Sequence, residues 1–277
     1  MKTGSIVRYT WREALRKRLV MLVAVLTIGF LVLFGWGVHQ VLGLPGQVDR
    51  LFIRAAEAAA LLNIGLYFAS FLTAFLTIVM TSGAIAGEVE SGTIYAVLAR
   101  PLSRRAYVLG RFGGFLFLSL FYATALYLSM LLIVRPYLPL FASDVLASLG
   151  IFLLQPLVLC ALALAASASF STLNAGVLLV SLYAFGVVGG LLEQIGAGLK
   201  REVLTNIGIF ASLVMPADAL FRKALFELFA TLGQLVRLGG GPFFTAPEPS
   251  TAMLLWAVFY AAVAVGLALY KFERQDL

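Results

Sequence analysis

Long apolar runs alternate with short charged segments along this chain. Six of the runs approach or exceed the roughly 20 residues that an α-helix needs to cross a bilayer. They fall at about 19–38, 58–86, 112–134, 145–170, 175–192 and 253–270, and within those limits there is no Asp, Glu, Lys, Arg or His. Strands of a membrane barrel would alternate apolar and polar residues, and these runs are apolar throughout. The pattern therefore predicts an all-α, polytopic membrane protein with six transmembrane helices, in one domain over 1–277. Gly43, Pro45 and Gly46 mark a loop after the first run, followed by a polar segment with Asp49, Arg50, Arg54 and Glu57. Arg135, Pro136 and Pro139 end the third run. Gln155-Pro156 predicts a kink in the fourth.

Two segments outside the spans carry a helical period. In 1–18, Ile6, Tyr9, Ala14 and Leu15 share one face, Trp11 lies nearby, and Arg8 and Arg12 belong to a basic set. Trp and Arg suit a membrane surface, so this segment is expected to be an amphipathic interface helix. The basic end runs straight into the first span without a small-residue cleavage site, so that span is expected to be retained. Between spans 5 and 6, residues 193–252 form an outer segment. From Pro216 to Leu238, Phe221, Leu225, Leu228, Phe229, Leu232, Leu235 and Val236 make an apolar face. Lys223, Glu227, Gln234 and Arg237 make the opposite one. Pro216 and Asp218 suit its start, and Gly239-Gly240-Gly241 its stop. Together with the apolar residues 203–217, it is expected to form a re-entrant or interfacial hairpin.

Composition agrees with the pattern. The chain is 62% hydrophobic and 12% charged, against about 25% charged for an ordinary soluble domain. The net charge of +7 is explained by basic residues flanking the spans, so no nucleic-acid partner is expected. With both termini inside, the segments 1–18, 87–111 and 271–277 hold twelve Lys or Arg, and the first two outer loops hold three. That satisfies the positive-inside bias.

Chemistry is scarce. One His (His39) and one Cys (Cys160) do not make a zinc site or a convincing triad. No G-x-x-x-x-G-K-[ST] loop is present to hold nucleotide phosphates. No catalytic, cofactor-binding or metal residue is expected in this chain. The charge-free spans argue against a stand-alone carrier or an intramembrane enzyme, which need buried polar or charged groups. Those two classes are the alternatives to a permease driven from outside, and a scaffold or receptor subunit is a third.

The most patterned charged stretch is 87–111, GEVESGTIYAVLARPLSRRAYVLGR. Glu88 and Glu90 stand where span 2 leaves the membrane. Ser91 can cap a short helix whose apolar side is Ile94, Tyr95, Val97 and Leu98. Pro101 stops that helix by Arg100. Ser103 can cap the next, with Arg104, Arg105 and Arg111 at its entry into the membrane. The expected unit is rigid: span, short crosswise helix, tight turn, span.

Glu88-Val-Glu90-Ser91-Gly92-Thr93, then Ala99-Arg100-Pro101-Leu-Ser103-Arg104, then Tyr107-x-x-Gly110-Arg111 resembles the cytoplasmic motif of ABC-2-type transporter permeases. In that family the motif usually ends in Gly-Lys; Arg111 keeps the charge. Met215-Pro216-x-Asp218 is similar to permeases grouped with nitrous-oxide-reductase maturation. The resemblance implies the transmembrane subunit of an ABC exporter in a prokaryotic inner membrane, with both termini cytoplasmic. It implies a separate ABC ATPase that binds ATP and Mg, and a second permease copy or paralogue, the homodimer being favoured. It also implies that 88–100 is a coupling helix docking on that ATPase, with the helix around Arg8, Trp11 and Arg12 as a second contact. No cytoplasmic loop carries the importer-type Glu-Ala-Ala with a downstream Gly (Glu57-Ala58-Ala59 stands at the start of span 2), which favours export.

Overall fold

The computed structural model describes residues 18–43, 51–94, 103–138, 140–232 and 249–274. The interface helix expected over 1–18 lies outside them, apart from Arg18. Among the described residues the chain is helical and without strands. Its elements are α1 (Arg18–Leu42), α2 (Leu51–Thr81), α3 (Ala86–Glu90), α4 (Arg104–Val134), α5 (Ala142–Phe152), α6 (Leu154–Ser167), α7 (Thr172–Gly198), α8 (Glu202–Val214), α9 (Ala217–Leu228) and α10 (Ala252–Glu273).

Among the described residues six helical segments are long and apolar enough to cross a membrane, Val20–Leu42, Arg54–Glu90, Arg104–Val134, Ala142–Ser167, Thr172–Gly198 and Ala252–Glu273, and the bent pair Glu202–Val214 and Ala217–Leu228 would pass only if taken together. Of the polar segment expected before span 2, Arg54 and Glu57 lie in the first turns of α2, and Asp49 and Arg50 lie outside the described residues. The end of span 2 is also different. α2 stops at Thr81, and a break at 82–85 separates it from the short α3. The kink expected at Gln155-Pro156 is a break at Leu153, between α5 and α6. Proline clashes with the carbonyl four residues before it, here that of Phe152. Gln155 is fully buried at this bend and accepts a 2.9 Å hydrogen bond from the Ser70 hydroxyl of α2.

The segment between spans 5 and 6 is a hairpin. α8 and α9 are bent by 103° about Met215 and Pro216. α8 runs back along α7, and α9 packs on α5 and α6. The Thr231 N–H beyond α9 donates to Asp144 at the start of α5, 3.3 Å away. Both ends of the hairpin therefore lie at one end of the bundle, as in a re-entrant pair rather than a seventh span. The apex reaches Gly186, the fifteenth of the 27 residues of α7, so it stands near mid-bilayer. A break at that depth exposes backbone carbonyls where water cannot serve them. α10 supplies the donors: Trp256 Nε1–H to the Leu213 carbonyl at 3.0 Å, and the Tyr260 hydroxyl to the Val214 carbonyl at 2.8 Å.

Close approach of α7 and α8 rests on glycine. A Cβ at Gly208 would stand 2.6 Å from the Gly189 carbonyl oxygen, and one at Gly196 the same distance from the Thr205 nitrogen. One core cluster fills the hairpin end, with Leu66, Tyr127, Met130, Phe152 and Phe221. Another fills the end that carries α3, with Met80, Ile85, Ile94, Phe115, Leu164 and Phe272. α1 is the least buried of the spans. Its exposed Val25, Val32 and Trp36 suit a lipid contact, since hydrocarbon solvates apolar side chains as well as other helices do.

Gly208→Ala is expected to lower stability by about 1–3 kcal/mol, the range for overpacking. Gly198→Ala, which has open space around it, should stay within about 0.5 kcal/mol of wild type. Thermal unfolding of the two purified variants in detergent checks the contrast.

Candidate functional site

Residues 86–94 and 103–111 gather at one end of the bundle, where they touch three other spans. α3 begins without a side-chain cap of its own. Its free N–H groups at Ile85 and Ala86 both donate to the Ser167 hydroxyl, at 3.0 Å each, where α6 ends. On α4, Tyr107 and Arg111 are one helical turn apart and face α3. The Tyr107 hydroxyl donates to one Glu88 oxygen, and Arg111 Nη2 pairs with the other at 2.5 Å. Arg111 Nε donates to the Ala84 carbonyl in the break after α2, at 3.1 Å. The guanidinium lies over the Phe115 ring, 5.3 Å from its centre, and the residue is 1% exposed. One arginine thus closes the break between α2 and α3 and neutralises Glu88.

Glu90 reaches a different span. One oxygen accepts from the Thr172 N–H at 2.8 Å and the other from the Thr172 hydroxyl at 2.9 Å. Thr172 is the first residue of α7, and its preceding residue, Ser171, makes no side-chain cap. Glu90 therefore serves as the cap of α7, and its negative charge is favourable at a helix N-terminus. The last span is held as well. Arg104 donates to the carbonyls of Phe272 and Glu273, at 3.3 and 3.1 Å, a favourable place for a cation. Arg105 pairs with the Glu273 carboxylate, and the Tyr107 ring stacks on Phe272 at 5.5 Å.

The remaining motif residues lie around this core. Ser103 caps α4, its hydroxyl accepting from the Ala106 N–H at 3.3 Å. Ser91 stands at the C-terminal cap of α3 and two residues before the helical Thr93 and Ile94, and its hydroxyl is 2.9 Å from that of Thr93. Gly92 has φ of +71°, a left-handed conformation that favours glycine and turns the chain. Tyr95, Arg100 and Pro101 lie outside the described residues, as do Arg8, Trp11 and Arg12.

The opposite end holds a charged group that the sequence pattern did not reveal. Arg222 of α9 pairs with Asp218 one turn earlier at 2.9 Å and with Glu193 of α7 at 2.6 Å. It also donates to the Ser212 hydroxyl of α8 at 3.3 Å. All four residues are buried. A Cβ at Gly190 would collide with the Asp218 carboxylate, so that glycine is what admits the acid. The charge-free reading of span 5, which argued against buried charged groups, is corrected: α7 continues past residue 192 and includes Glu193. On the polar face read for α9, Lys223 is 2% exposed and pairs with Glu227 at 3.0 Å. The helix is enclosed by α5, α6 and α7, so its polar face turns into protein. The Asp218–Arg222 spacing of four residues was the available signal. A cavity of about 840 Å³ opens beside this group, with Glu193 and Arg222 in its wall and Ile209, Leu213, Trp256 and Phe259 among its apolar lining.

The family model described as ABC-2 family transporter protein matches residues 5–277. The chain belongs to the ABC-2 transporter family. It is therefore a multi-pass membrane protein and a permease subunit of an ABC transporter. No curated protein sequence matches the chain significantly.

Within this ABC-2 permease, removing one partner of a buried ion pair leaves the other charge unpaired, at a cost of about 3 kcal/mol. Glu88→Ala is expected to destabilise by about that much, and Tyr107→Phe by about 1 kcal/mol for one hydrogen bond. Arg111→Lys cannot make both the Ala84 and Glu88 contacts and should fall between them. Unfolding midpoints of the purified variants test the order.

Proposed function

We infer that this permease is an exporter subunit driven by a separate ABC ATPase, which binds the ATP and Mg, through the segment 86–111. The observation that carries the reading is the clasp of Glu90 on Thr172. With the Glu88–Arg111 pair and the Arg104 contacts, it ties the segment to the ends of α4, α7 and α10. A push on the segment from outside the membrane then moves three spans together rather than bending a loop. The positive-inside bias supports a cytoplasmic position for this end and for both termini, and the family resemblance supports the inner membrane of a prokaryote. The basic helix around Arg8, Trp11 and Arg12 is a second contact for the ATPase. In this reading Ser91, Gly92 and Thr93 belong to the docking segment, together with Tyr95, Arg100 and Pro101, which lie outside the described residues. Two copies of the chain complete the pore in this reading, and a paralogue is the other arrangement. Export rests on the motif and on the missing importer-type loop.

The test is reconstitution in lipid with the ATPase subunit of the same transporter. ATP hydrolysis should rise on adding the permease; a chain that neither binds nor stimulates any ATPase overturns the reading. A stand-alone carrier, which the buried Glu193–Arg222–Asp218 group would suit, predicts transport without ATP. Glu90→Ala should leave expression and ATPase binding intact while the stimulation falls severalfold, because α7 loses its cap and its link to the segment. Unchanged stimulation in that variant counts against the clasp as the route of force.

A further inference from the structure

We propose that the cavity between the hairpin and the start of α10 binds a lipophilic amine cation, an ammonium group on an apolar body, with Glu193 as its counter-ion.

The cavity, about 840 Å³, lies in the range of small-ligand sites, about 300–1,000 Å³. Its charged lining is Glu193 of α7 and Arg222 of α9, and the rest of its wall is mainly apolar, Leu213 and Met253 among it. Glu193 is 7% exposed. Its Oε2 accepts from Arg222 at 2.6 Å. Its Oε1 has no hydrogen-bond partner among the described residues. Yet Oε1 is not one of the sealed, unpartnered atoms of the bundle, which belong to Thr73, Ser119 and Arg222. It therefore keeps accessible surface, and the space that Glu193 lines is this cavity. A nearly buried carboxylate oxygen that opens on an apolar space and accepts nothing calls for a donor.

Charge decides the sign of that donor. Asp218 and Glu193 bring two negative charges to the single positive charge of Arg222, and Lys223 is paired with Glu227. Among the described residues one carboxylate is in excess. The exposed Lys200 and Arg201 of the turn between α7 and α8 do not line the cavity. An uncompensated charge is costly away from water, and a cation beside Oε1 offsets it. A neutral ligand leaves the excess in place, and an anion adds to it. An anion also finds few donors: Arg222 Nη1 is sealed in protein, Trp256 Nε1–H is spent on the Leu213 carbonyl, and the Thr205 hydroxyl on that of Arg201.

The surroundings suit an ammonium on an apolar body. Trp256 and Phe259 line the cavity, their rings 5.9 Å apart, and aromatic faces attract ammonium groups. Glu193 is five residues from the end of α7 at Gly198 and eight from its middle. At 1.5 Å per residue it stands about 12 Å from the centre of a centred span. The hydrocarbon edge is at about 15 Å. The carboxylate is thus near the membrane boundary, where an amphiphilic cation carries its charge.

The experiment is equilibrium dialysis of the purified full-length chain in phosphatidylcholine nanodiscs, with binding to empty discs subtracted. The probes are 1-pyrenemethylamine, a cation at neutral pH, and 1-pyrenemethanol, its neutral counterpart. The amine should bind about tenfold more tightly, the worth of one charged hydrogen bond. Glu193→Gln keeps an acceptor for Arg222, so it should bring the amine down to the level of the alcohol and leave the alcohol unchanged. Glu202→Gln makes the same charge change at an exposed position of α8 outside the cavity and should keep the preference. Ile209→Trp, at a half-exposed position in the wall, should abolish binding of both probes while the unfolding midpoint stays at the wild-type value. Equal binding of the two probes by the wild type overturns the proposal; a proton held by the acidic group in place of a ligand gives that result. An unchanged preference in Glu193→Gln, a lost one in Glu202→Gln, or full binding by Ile209→Trp also overturns it. Should Glu193→Gln lose the alcohol as well, its cavity is damaged, and the wild-type ratio and Ile209→Trp decide. No step involves the ATPase, so this proposal and the coupling reading fail separately.

Discussion

Water is absent from the middle of a bilayer, so each polar group there must find its partner inside the protein. Three irregular features among the described residues are built around that constraint. The break after α2 frees the Ala84 carbonyl and the Ile85 and Ala86 N–H groups. Arg111 takes the first and Ser167 the other two. The hairpin apex frees the Leu213 and Val214 carbonyls, and Trp256 and Tyr260 take them. The bend at Leu153 is held by Gln155 against Ser70. In each case the donor or acceptor comes from a different span. The irregularities are thus also the points where spans are joined.

This has a mechanical consequence. A helix end that is satisfied by its own cap can move alone; one that is satisfied by a neighbour moves with it. Glu90 caps α7, and Arg104 holds the end of α10. The same short region that breaks α2 therefore sets the positions of two further spans. α7 runs from this contact to the hairpin at the far end, where its glycines carry α8. Displacement at one end of α7 has a rigid path of about 40 Å to the other.

Much of this was legible in the chain. Six apolar runs fixed the class, since only helices satisfy their own backbone across lipid. The pattern of Glu88, Gly92, Ser103 and Arg111 pointed to the family that the match over 5–277 confirms. Pro156 marked a bend and Pro216 a start, because proline acts on its own turn. The cap at Ser103 was readable for the same reason: its bond to Ala106 spans three residues.

What the sequence by itself determined is local: which stretches are helices, where they are broken, and that their charged ends lie at the membrane boundary. The tertiary structure decided which distant groups meet. Nothing in the spacing of Glu90 and Thr172, 82 positions apart, says that one caps the other. Nor could periodicity show that Lys223, Arg222 and Asp218 face protein rather than water. A polar face reads the same whether its partners are solvent or a buried glutamate from another helix. Glu193 sits just past an apolar run, and only the length of α7 and the close approach allowed by Gly190 and Gly208 bring it to Arg222. Burial of charge is a property of the assembled bundle, because the groups that compensate it come from three separate helices.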